Sequence, residues 1–97
     1  MRELLPEDAV EAFCSNHAHW HVTDGRLVRV ASAPDFRTAI DWVVAVACVA
    51  EEQDHHPDID IRWCTVSFGL WTHSAGGITA LDLDLARRID ALVITRE

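Results

Sequence analysis

The run AEEQDHHPDIDIRWCTVSFGLWTH, residues 50–73, carries the switch from helix to sheet on which the fold turns. The residue before a proline is pushed out of helical conformation, so Pro57 ends the incoming helix at or before His56. Beyond it the apolar residues alternate, first at Ile59, Ile61 and Trp63, then at Val66, Phe68 and Leu70. The slip in phase near Cys64-Thr65 predicts a tight turn between two strands. His55 and His56 therefore sit at a helix-to-strand junction, where side chains project into clefts more readily than into a core.

Working upstream, Pro34-Asp35 opens the helix that Pro57 closes. Phe36, Ile40, Val43, Val44, Ala47 and Ala50 recur every three or four residues and predict its inward face. Cys48 reads as a small buried side chain within it. Trp20 to Thr23 and Arg26 to Val30 flank Asp24-Gly25, a strong hairpin signal. Pro6, Glu7 and Asp8 form a first helical turn, with Val10, Phe13 and Cys14 on one face and an end near His17. Downstream, Gly76-Gly77 is a loop. Thr79 with Asp82 three residues on is a capping box for a last helix striped by Leu81, Leu85, Ile89 and Leu92. The order is helix, hairpin, helix, hairpin, helix. This gives an α+β domain: a four-stranded antiparallel sheet with three helices packed on one face. Its other face needs solvent-tolerant residues or a partner.

A chain of 97 residues has room for one core, so residues 1–97 are expected to fold as one unit. A domain this small is marginal alone, and self-association would help it. Sixteen acids against eight bases give a charge of −8, which disfavours direct binding to nucleic acid or an anionic membrane. Cys14, Cys48 and Cys64 form no C-x-x-C pair, arguing against disulfides and thiolate metal sites. The longest apolar run, Trp42 to Ala50, is about half a membrane span. With no apolar signal segment at the N-terminus, the expected compartment is the reducing cytoplasm.

Chemistry concentrates at Glu51, Asp54, His55, His56 and Asp58, read with His73 and Asp82. Imidazoles change charge nearest neutral pH, and carboxylates beside them shift their affinity for protons and fix their tautomers. Acid–base catalysis is the role such a cluster suits. Sequence neighbours diverge by roughly 100° on a helix and 180° on a strand, so His55 and His56 cannot duplicate each other. His17, His19 and His21 would share a face if extended, as a metal site would want, but the first helix ends there and spoils the alternation.

The spaced pattern resembles the pterin-4a-carbinolamine dehydratases: an acid, three residues, His-His-Pro, an aromatic, nine residues, His, then Asp. The chain supplies Glu51, His55-His56-Pro57, Trp63, His73 and Asp82, and Thr72 to Thr79 is similar to the family's second signature. Trp20, Asp24-Gly25-Arg26 and Asp35-Phe36 extend the resemblance over nearly the whole chain. Ile59 departs from a common aromatic, and Ala75 from an occasional cysteine.

The resemblance implies dehydration of 4a-hydroxytetrahydropterin to quinonoid dihydropterin, recycling the cofactor of aromatic amino-acid hydroxylases. It implies His55 and His73 as the acid–base pair and His56 as the residue that holds substrate. It further implies Glu51 and Asp82 as orienting carboxylates, and Pro57, Thr72, Ser74 and Ala75 as lining. No metal and no organic cofactor are implied, and subunits would pair through sheet edges and helices into homodimers or homotetramers. The rival reading is a non-catalytic dimerisation or assembly protein on the same fold, which would have no need of three histidines.

Overall fold

The computed structural model describes residues 3–94, so the outermost residues of the expected 1–97 unit lie outside the described residues. The elements run α1 (Glu7–Asn16), β1 (Trp20–Thr23), β2 (Arg26–Ser32), α2 (Phe36–Gln53), β3 (Asp58–Arg62), β4 (Thr65–Leu70) and α3 (Ala80–Leu92). The strands form one antiparallel sheet in the order β1-β2-β4-β3. The expected α+β order and the four-stranded sheet are both present.

Local chemistry explains the element ends. Pro6 lies one step earlier than expected, at the N-cap of α1. Asp24 and Gly25 both take positive φ, 52° and 73°, as a type I′ hairpin turn requires. Asp35 caps α2 by accepting from the Thr38 amide at 2.7 Å. Hydrogen bonds from Thr38, side chain first and amide second, hold the Asp35 carboxyl below its ordinary range. β2 runs two residues further than the hairpin pattern indicated. The β3–β4 turn comes one residue early, with Trp63 in the turn at φ 53° and almost fully exposed.

The core lies between the three helices and one sheet face, through Leu27, Ala31, Val66, Phe68 and Leu70 on β2 and β4. The opposite face carries His21, Thr23, Asp60 and Ser67 beside Val28 and the exposed Val30, so only part of it is solvent-tolerant. Arg29 points inward and is 1% exposed. It donates to Asp90 at 2.5 Å and to the Val93 carbonyl at 3.0 Å, while the Trp20 indole N–H donates to the same carboxylate at 2.8 Å. This group ties β1 and β2 to the C-terminal end of α3.

The face of α2 differs in part from expectation: Ala50 is buried and Val43 packs half-buried on the core, as expected. Ala39, Trp42, Val46, Val49 and Ala50 are buried, whereas Phe36, Val44, Ala47 and Cys48 are exposed. The helix is apolar nearly all round, so several three-and-four series fit it. The wide Trp42 side chain seats the other stripe against the core. Burial pushes the Cys14 thiol up from its usual value.

Candidate active site

The helix-to-strand junction is built by a Schellman turn. Asp54 takes a left-handed conformation at φ 50°. The His55 N–H bonds to the Ala50 carbonyl at 3.0 Å and the Asp54 N–H to that of Glu51 at 3.3 Å. Helix α2 thus stops before the proline is reached, and His55 turns inward while His56 stays exposed.

His55 is 8% exposed, and its Nε2 lies 2.6 Å from Oδ1 of Asp82, which has no exposed surface. The other Asp82 oxygen accepts from the Thr72 hydroxyl and the Thr79 amide, both at 2.9 Å. A carboxylate offers only acceptors, so His55 presents Nε2–H to it and Nδ1 remains for proton exchange. Thr72 spends its one hydroxyl hydrogen on Asp82. Thr79 must therefore donate across the 2.7 Å contact between the two hydroxyls. Asp82 is both the capping-box residue of α3 and the partner of a histidine from the end of α2.

His56 pairs through Nε2 with Glu51, one turn back on α2, and both are exposed. His73 follows β4 beyond the Thr72–Gly77 bridge, which holds the 72–77 loop closed. Its ring lies against the Trp71 indole, centroids 4.0 Å apart and planes 32° apart.

These three imidazoles line one cleft of about 300 Å³, the lower end of the range for small-molecule sites. Asp54, Trp71 and Ser74 line it with them. Ala75 is half-buried with its amide bonded to the Thr72 carbonyl, and Pro57 is half-buried beside the junction. Thr72 is 2% exposed with its hydroxyl turned to Asp82. Asp82 cannot meet a ligand directly, and the role open to it is to orient His55. Asp54, read from the sequence as part of the carboxylate cluster, lines the cleft, whereas sequence reasoning missed Trp71. Two-residue alternation from His73 would have found Trp71.

Larger hollows lie elsewhere among the described residues, one of about 320 Å³ on the open sheet face and one of about 420 Å³ beside the N-terminal segment. The first holds His21 with Asp58 and Asp60, and the second Glu7 and Glu11 with no histidine, so neither brings several imidazoles together. His17 stacks on Phe13, and its Nδ1 meets the Phe13 carbonyl at 2.9 Å, away from His21 on the sheet. Among the described residues no three His, Cys, Asp or Glu side chains are placed to hold a metal ion. Among them, too, no helix is long and apolar enough to cross a membrane.

The family model described as pterin 4 alpha carbinolamine dehydratase matches residues 3–92. A protein of Mycobacterium avium (strain 104), provisionally named pterin-4-alpha-carbinolamine dehydratase, is 48% identical over 90 residues, 93% of this chain and 96% of its own. A Nocardia farcinica protein with the same provisional name is 47% identical, covering 93% and 95%. A crystal structure titled transcriptional coactivator/pterin dehydratase from Brucella melitensis superposes with TM-score 0.87. It is 33% identical, with 93% of this chain and 98% of that one covered. A pterin dehydratase-like protein identified as a RuBisCO assembly factor shares the fold at TM-score 0.64 and 20% identity, covering 79% and 89%.

Proposed function

The chain belongs to the pterin 4 alpha carbinolamine dehydratase family, and from that premise we propose that it dehydrates 4a-hydroxytetrahydropterin to quinonoid dihydropterin. The observation that carries the reading is the cleft shared by His55, His56 and His73, with the His55–Asp82 pair behind it.

The reaction removes the hydroxyl from C4a and the hydrogen from N5. One imidazolium gives a proton to the departing oxygen, the C4a–O bond breaks, and the N5 electron pair forms the new C=N bond. A neutral imidazole takes the N5 proton, so water is the only other product and no oxidant or reductant is needed. General acid and base groups of this kind each contribute on the order of 10²–10⁴-fold. We assign these roles to His55 and His73, and substrate holding to His56 with Glu51. Asp82 orients the His55 ring, while Thr72 and Ser74 shape the wall, with Pro57 and Ala75 next to lining residues in the chain.

The same reading puts the protein in the cytoplasm, recycling the pterin of a hydroxylase, as a homodimer or homotetramer. The exposed apolar residues Phe36, Val44 and Ala47 of α2 support association. Three imidazoles from two separate parts of the chain lining one cleft favour catalysis over the assembly reading. The test is stopped-flow decay of 4a-hydroxytetrahydropterin generated in place by a hydroxylase. Catalytic amounts of the protein are expected to accelerate it, and a decay rate equal to that of buffer overturns the proposal.

A further inference from the structure

His55 and His56 each have a carboxylate partner, Asp82 and Glu51. His73 has a different neighbour: its exposed ring rests on the Trp71 indole at 4.0 Å. Alternation along the chain explains the contact. Leu70 and Thr72 turn inward, Thr72 to reach Asp82, so Trp71 and His73 emerge on the same side and line the same cleft. We infer that Trp71 is the positioning residue for His73, doing by a tilted ring contact what the carboxylates do for the other two imidazoles.

This rests on the dehydratase reading above, because it assigns the indole a task in proton transfer through His73. An imidazole that must reach a single ring atom loses rate when it swings freely, since a misplacement of about 1 Å can cost on the order of 10²-fold. The half-buried indole restricts that swing, and aromatic pairs of this geometry are weakly attractive beyond the area they bury.

The experiment combines kinetics with NMR of the His73 ring protons, assigned by comparison with His73→Ala. Trp71→Ala is expected to lower kcat about tenfold with KM changed less than threefold, and Trp71→Phe to recover most of the loss. In the His73→Ala background, Trp71→Ala is expected to add nothing, because the two residues act in series. The His73 ring protons should lose their indole ring-current shift in Trp71→Ala and keep a smaller one in Trp71→Phe. An unchanged kcat in Trp71→Ala, effects that multiply in the double variant, or unmoved ring protons would each overturn the assignment. Wild-type protein without dehydratase activity overturns the reading beneath it instead, and the ring-proton shift reports on the Trp71–His73 contact independently of that outcome.

Discussion

The His55 imidazole Nε2 and the Asp82 Oδ1 lie 2.6 Å apart, although 27 positions separate them and they belong to different helix ends. The carboxylate that starts α3 is thereby spent a second time on the cleft. Asp82 has no exposed surface, and its three donors come from His55, Thr72 and Thr79. In the proposed reaction, stability and proton transfer therefore depend on one side chain.

Asp82→Asn tests that coupling. The amide keeps the shape but must point a donor at one of three donors. The expected outcome is a loss of about 3 kcal/mol in unfolding free energy, together with a rate lower on the order of 10²-fold. Urea unfolding and the dehydration assay read the two separately. Retention of full activity in a destabilised variant would confine Asp82 to a capping role.

Acid should weaken the start of α2. The Asp35 carboxyl is held below its ordinary value by Thr38, so its folded affinity for protons is lower than in the unfolded chain. The sign follows: its contribution is complete above the unfolded value of about 3.9 and is lost as pH falls through the folded one. Asp35→Ala is expected to melt lower than wild type at pH 7, and the gap to shrink as the pH falls below the unfolded value of about 3.9. A gap independent of pH would show that the carboxylate form is not what caps the helix.

Much of this was legible from residues alone. Pro57, Asp24-Gly25 and the Thr79–Asp82 spacing each name a local geometry that only a few residue types permit, and the elements followed. The inward face of α2 was not legible, because Phe36, Ile40 and Val44 fit helical spacing as well as Ala39, Trp42 and Val46 do. Only packing against the sheet chooses between them. The left-handed Asp54 and Trp63 were hidden for a related reason: neither is the glycine that usually marks such a conformation. At the cleft the histidines announced themselves by chemistry. Trp71 did not, since an aromatic beside a strand end ordinarily reads as core.

The contact of buried Arg29 with the partly exposed Asp90 should matter for stability without touching the cleft. Arg29→Ala leaves the Asp90 carboxylate with only the Trp20 indole from this group, and opens space in the core. A loss of about 3–5 kcal/mol is expected, with the dehydration rate per folded molecule unchanged. A variant as stable as wild type would show that Asp90 finds another partner.

Trp63 gives the opposite sign. An L-residue in left-handed conformation costs roughly 1–2 kcal/mol, and at 80% exposure the indole regains little of it by burial. Trp63→Gly is expected to raise the urea midpoint slightly or leave it level, offset by the freedom glycine adds to the unfolded chain. A clear fall would mean that the indole packs on something in solution, a second copy of the chain being the simplest choice.

The most direct test is the stopped-flow dehydration rate of wild type beside His55→Ala and His73→Ala, with circular dichroism to establish that all three are folded. The cleft chemistry requires each substitution to slow the reaction by on the order of 10²–10⁴-fold while the spectra coincide. Folded variants that both dehydrate the pterin at the wild-type rate would contradict it.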